Sequence, residues 1–214
     1  MLLLEPEVKK MLRGVARLWN ENKDRLSEID SRFGDGDHGV TIGKIAGLME
    51  RSLDAWEDDD IETFIQDLGD DTMEIGGGSA GPLYGTLIGG LAEPLTGGEG
   101  IDGAGLKAMF AGSLSAMEDI TTAKVGDKTM MDALIPAVEA AAQASDDVME
   151  ILKAAAEAAE QGAKESENYI SKFGRARSYK EQTIGTPDAG AVSTSLFFKG
   201  LYEGLYEGLH EAEQ

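Results

Sequence analysis

The chain has 214 residues, 42% hydrophobic and 28% charged, with 40 acidic against 19 basic side chains and a formal net charge of −21. Such a field disfavours nucleic acid and anionic membrane as partners, and the lack of cysteine removes disulfides, thiolate metal sites and thiol nucleophiles. No apolar run reaches about 18 residues and "MLLL" is too short for a signal segment, so one cytoplasmic domain over 1–214 is expected, with an alanine-rich, aromatic-poor composition that leans helical.

Eight helices are predicted, over 6–25, 39–54, 61–75, 80–95, 102–120, 129–143, 147–170 and 189–210. In the first, Val8, Leu12, Val15 and Leu18 recur at spacings of three and four, which puts them on one face. Between the second and third, "DAWEDDDIE" (54–62) reads as an acidic turn. The seventh opens on an Asp pair suited to a helix N-terminus. In the eighth, "VSTSLFF" (192–198) is β-prone but has no partner run, so it reads as buried helix. The tail "LYEGLYEGLHE" repeats every four residues and keeps Leu201, Leu205 and Leu209 together beside Tyr202 and Tyr206, as a core or interface helix does.

Four inter-helix loops carry the candidate chemistry: "DSRFGDGDHGVT" (30–41), "GGGSAGP" (76–82), "GDKTMMD" (126–132) and "GRARSYKEQTIGTPDAG" (174–190). Successive antiparallel helices would bring them to a common end. Asp30, Asp35 and Asp37 offer three hard carboxylate oxygens that suit Mg²⁺; the alternative is an Asp-rich turn with a helix cap. An EF-hand fails, because the twelfth position counted from Asp35 is Ala46 and from Asp30 is Thr41. Gly76, Gly78 and Gly81 match G-x-G-x-x-G only formally, since a helix-like stretch precedes them and no βαβ unit surrounds them. Bare N–H groups at the following helix start could bind phosphate, or the glycines could serve close packing. Lys128 and Arg175 are either phosphate partners or surface charges, and His38 either contacts a ligand or caps a helix. His210, in the tail, is expected to be solvent-exposed. No residue is assigned a catalytic role.

Together these motifs resemble the nucleotide-binding subunit of dihydroxyacetone kinase, the DhaL or Dak phosphatase-type domain family. That family's pattern runs Asp, G-D-x-D-H-G, G-G-[AS]-[AS]-G-P-L-[FY]-G, G-D-K-T-M-x-D, G-R-A and D-P-G-[AT]. Here they stand as Asp30, "GDGDHG", "GGSAGPLYG", "GDKTMMD", "GRA" and "DAGA", in order across essentially the whole chain. The resemblance implies an all-α antiparallel barrel of about eight helices with ADP or ATP and two Mg²⁺ ions at one end. By position, Asp30, Asp35 and Asp37 would hold the metals, and His38, Gly39, Val40 and Thr41 would line the nucleotide. Ser79 and Ala80 would donate to phosphate, Met130 would pack near adenine, Arg175 would contact the nucleotide, and Asp188, Ala189 and Gly190 would close the site. Carboxylates repel polyphosphate, but a carboxylate–Mg²⁺–phosphate bridge is favourable, and positioning with charge neutralisation is most of phosphoryl-transfer catalysis.

Two departures stand out. Ala189 replaces the family's proline, which implies a looser lid, and "GRARSYKEQTIG" replaces the commoner "GRASYLGERSIG", which leaves Arg175 and Arg177 as alternatives for the contact. The resemblance further implies a separate K-type subunit that binds dihydroxyacetone covalently through a histidine, so this chain alone should be inactive. A free-standing chain most resembles the phosphotransferase-system version, in which bound ADP is a cofactor rephosphorylated by a histidine-bearing subunit. An ATP-exchanging kinase subunit and a nucleotide-binding regulatory module are the alternatives, and the sequence is compatible with a homodimer.

Overall fold

The computed structural model describes residues 1–57, 60–97 and 100–211; positions 58–59, the middle of the predicted acidic turn, lie outside the described residues. Among those residues the chain is all-α: α1 (Glu5–Asp30), α2 (His38–Ala55), α3 (Ile61–Met73), α4 (Ala80–Gly89), α5 (Gly103–Ile120), α6 (Met131–Gln143), α7 (Val148–Glu165) and α8 (Ala189–Glu211). Short 3-10 turns cover Ser166–Asn168 and Arg175–Thr183 between α7 and α8. An isolated antiparallel bridge joins Leu3 to Ile101. No described helix is long and apolar enough to cross a membrane.

Each helix packs on the next in sequence, and α8 returns against α1, which closes the ring. The sense is antiparallel where α8 meets α1, because Lys10 lies against Gly208, Gly14 against Gly200 and Gly204, and the Trp19 indole donates to the Ser193 carbonyl at 2.8 Å. Inside the ring Trp19, Tyr84, Phe110, Phe197 and Phe198 are fully buried, with Trp19 edge-on to Tyr84 at 5.2 Å between ring centres. The "VSTSLFF" run is helical and buried, as predicted.

Helix lengths differ from the sequence reading where packing decides them. The first helix continues to Asp30 because Leu26, beyond the predicted end, still points fully inward. The fourth stops at Gly89, six residues early, although Leu91 and Ala92 beyond it stay buried; there Gly90 lies so close to α5 that a Cβ on it would sit 2.8 Å from the Ser113 Cα. In the tail, Leu201 and Leu205 are buried, but the four-residue repeat also stacks Gly200, Gly204 and Gly208 along α1.

Candidate metal and nucleotide site

The end of the ring where α1 stops and α2, α4, α6 and α8 begin holds a cavity of about 410 Å³. All four predicted loops contribute to its wall, through Asp30–His38, Gly77–Ala80, Lys128–Met130 and the stretch from Ser171 to Gly190.

The first loop folds back over the end of α1. The Asp30 carbonyl accepts from the Gly34 N–H at 2.7 Å, and its Oδ2 accepts from the Gly36 N–H at 2.8 Å. Gly36 has φ +78°, a left-handed turn that glycine adopts without a Cβ penalty. The result gathers one carboxylate oxygen from each of Asp30, Asp35 and Asp37 within 4.8 Å of one another. Asp37 stands at the cap position of α2, yet its side chain makes no capping hydrogen bond, so the cap reading does not explain it. Desolvation and the neighbouring Asp35 charge push the Asp37 carboxyl above the usual range. For Asp35 partial desolvation is outweighed by a backbone hydrogen bond and the Arg175 guanidinium, which hold it below that range. Three hard-oxygen donors in mutual repulsion are chemically suited to a divalent cation such as Mg²⁺.

Across the cavity the glycine loop turns through Gly77 (φ +142°) and Gly78 (φ +65°) into α4. Ser79 and Ala80 line the cavity at the helix start, where unsatisfied N–H groups and the positive end of the helix dipole favour an anion. Gly39, Val40 and Thr41, expected in the nucleotide wall, do not line it. Gly39 is pressed on α1, where a Cβ would sit 1.8 Å from the Lys23 carbonyl oxygen, and Val40 faces solvent. Thr41 is buried, and its hydroxyl donates to the Gly77 carbonyl at 3.2 Å, so it supports the glycine loop from behind.

His38 does reach the wall. Its Nε2 lies 2.8 Å from the Ser193 hydroxyl, which lies 2.6 Å from the Tyr84 hydroxyl, joining α2, α4 and α8. Burial lowers the His38 pKa against the pull of Asp30 and the Ala189 backbone, and it raises that of the Tyr84 phenol, so both are neutral at ordinary pH. Met130 is buried at the start of α6, lines the cavity and touches Gly190.

Lys128 is not a free phosphate partner. Its ammonium is buried, donates to the carbonyls of Ser166 at 2.5 Å and Thr186 at 2.6 Å, and so pins the segment before α8. Arg175 lines the cavity and pairs with Asp35, whereas Arg177 is exposed and outside the wall. Asp188 caps α8 by accepting from the Ala191 N–H at 2.8 Å. Burial pushes its carboxyl up to about 7, with Asp132 and Asp30 adding to the rise and Lys128 opposing it. Ala189 and Gly190 complete that side. Sequence reasoning passed over the apolar wall of Ile29, Phe33, Leu83 and Phe173; the usable signal was an aromatic directly before each of "GDGDHG" and "GRA".

The DAK2 domain family matches residues 32–203. Among curated proteins, the ADP-binding subunit DhaL of PEP-dependent dihydroxyacetone kinase 1 from Listeria innocua is 32% identical over 185 residues, covering 86% of this chain and 88% of that protein. An L-erythrulose kinase of Pectobacterium atrosepticum is 33% identical over 186 residues, covering 82% of this chain, which spans only 30% of that enzyme. The crystal structure of the C. freundii dihydroxyacetone kinase superposes with a TM-score of 0.72 at 27% identity, over 92% of this chain and 34% of that one. Its complex with AMP-PNP and Mg²⁺ gives 0.65 at 26% identity, over 92% and 33%. With most of the first loop and the whole of the other three inside the matched span, the chain belongs to the DAK2 domain family.

Proposed function

We propose that this chain is the nucleotide-binding subunit of a dihydroxyacetone kinase, holding ADP or ATP at the end of its helical barrel. The observation that carries the reading is the Asp30, Asp35 and Asp37 cluster facing the start of α4 across one cavity. Asp30, Asp35 and Asp37 would hold the two Mg²⁺ ions, whose chemistry there would be to neutralise phosphate charge. The α4 N–H groups at Ser79 and Ala80 orient the phosphates, while Met130 with Phe33 and Phe173 offers an apolar surface for the base. Asp188, Ala189 and Gly190 close the opposite side, and His38 holds α2 in register with α8 through Ser193.

The chain's two histidines are both committed: His38 to Ser193, and His210, in the last turn of α8, to the Tyr206 carbonyl. This supports the reading in which the histidine that carries the ketose belongs to a separate K-type subunit. The DhaL relative, named as an ADP-binding subunit of a PEP-dependent kinase and covered over most of its length, favours a PEP-dependent relay with ADP kept as a cofactor; a histidine-bearing phosphodonor and a cytoplasmic setting complete that reading. The similarity to an L-erythrulose kinase favours a second reading, an ATP-exchanging subunit acting on a tetrose.

The test is to denature the protein as purified and chromatograph what it releases. Retained ADP is the result expected of the relay, and an empty chain stabilised thermally by Mg-ATP supports the exchanging form. No response to either nucleotide with Mg²⁺ would refute the proposal.

A further inference from the structure

Two cationic side chains line the cavity, and they differ in freedom. Lys128 is 4% exposed and fixed on two carbonyls, whereas the Arg175 side chain is 69% exposed and hangs on the strap of short turns from Arg175 to Thr183. Its guanidinium donates to the Asp35 carboxylate, one of the three grouped as metal ligands. Two further contacts tie the first loop to the strap and to the segment after it: the Tyr179 ring on Phe33, 5.2 Å between centres, and the Arg32 guanidinium on the buried Thr186 hydroxyl at 3.3 Å.

A guanidinium and a divalent cation compete for the same carboxylate charge. We propose that Arg175 is a built-in stand-in for the metal. It offsets the carboxylate cluster while no cation is present, yields Asp35 to an incoming divalent cation, and moves to the phosphate oxygens of the nucleotide. The inference rests on the metal and nucleotide reading of the cavity. Its consequence is a coupling between two ligands. Without nucleotide, Arg175 must give up Asp35 with no new partner; with nucleotide bound, the released guanidinium gains one. Cation and nucleotide therefore tighten each other reciprocally.

Calorimetric titration tests this with the intact chain: Mg²⁺ into nucleotide-free protein, then ADP with and without Mg²⁺, for wild type, Arg175→Gln and Asp35→Asn. Arg175→Gln is expected to tighten Mg²⁺ binding in the absence of nucleotide roughly two- to fivefold, the worth of an exposed ion pair. The same variant should weaken ADP binding in Mg²⁺ and so shrink the coupling. Hydrogen exchange supplies a second readout: Mg²⁺ alone should speed exchange in residues 174–183 of the wild type and leave Arg175→Gln unchanged. A merely structural Arg175 predicts unchanged or weaker Mg²⁺ binding in Arg175→Gln, and that result would overturn the stand-in role. If Asp35→Asn binds Mg²⁺ as the wild type does, the metal reading itself fails and the stand-in role falls with it.

Discussion

Replacing Asp188 with Asn isolates the energetic cost of one desolvated carboxyl. In the folded chain its pKa stands at about 7, against an ordinary 3.8, because burial penalises the charged form more than the Ala191 N–H and Lys128 stabilise it. Between those two pH values the folded state keeps a proton that the unfolded chain has lost. Stability conferred by this group is therefore fully present below about pH 4 and is lost as pH rises towards 7. At about 1.4 kcal/mol per pH unit the gap amounts to about 4 kcal/mol once Asp188 is ionised in both states. Asn keeps the shape and an oxygen to accept from Ala191, so Asp188→Asn removes the charge and leaves the cap. Urea unfolding of both proteins in EDTA at pH 5, 6, 7 and 8 should show the variant gaining on the wild type by about 1.4 kcal/mol per unit up to about pH 6.5, then levelling off. A stability difference that does not change with pH would refute the reasoning.

Lys180 has φ +50° and ψ −127°, a conformation suited to glycine, and the commoner family pattern has glycine there. Lys180→Gly should relieve strain that outweighs the added freedom of the unfolded chain, a net gain of about 1 kcal/mol, seen as a melting temperature higher by about 2–4 °C; a lower value would count against strain. A Cβ on Gly204 would sit 2.2 Å from the Lys10 carbonyl oxygen and 3.1 Å from the Gly14 Cα, so Gly204→Ala should destabilise by about 2 kcal/mol net of its better helix propensity. Gly208→Ala meets only the movable Lys10 side chain and should cost clearly less, and equal losses in chemical denaturation would rule out the backbone clash as the cause.

The helices were legible because each hides one periodic face, as Val8, Leu12 and Val15 do in α1, whereas the spacing of the aspartate and glycine loops marked them out but left turn against metal and packing against phosphate open until the resemblance was drawn. What escaped the sequence depends on distant partners. Thr41 reads as a wall residue until Gly77 is placed above it, and Lys128 reads as a phosphate partner or a surface charge until Ser166 and Thr186 are found at its buried ammonium. The reason for Gly200 and Gly204 lies in α1, from the other end of the chain, whose backbone they meet so closely that neither leaves room for a Cβ. The strap from Arg175 to Thr183 lacks an apolar period, being held by the Tyr179 and Arg175 contacts to the first loop.

An acidic chain that handles polyphosphate has to solve one electrostatic problem, and the disposition of its cations says how. At the cavity, Lys128 is spent on carbonyls and Arg175 on Asp35, while burial keeps His38 neutral. The α4 N-terminus contributes only about half a positive charge. Against it stand three carboxylates within 4.8 Å of one another and a net charge of −21. A nucleotide diphosphate then meets net repulsion unless a divalent cation is supplied, so ADP binding should fall by at least about tenfold in EDTA, a loss of about 1.4 kcal/mol or more. Raising NaCl screens the long-range field but bridges no oxygens, and should restore little. Restoration by Mg²⁺ and not by NaCl would identify a bridge, whereas ADP binding unaffected by EDTA would mean that the α4 start holds the phosphates without the aspartates.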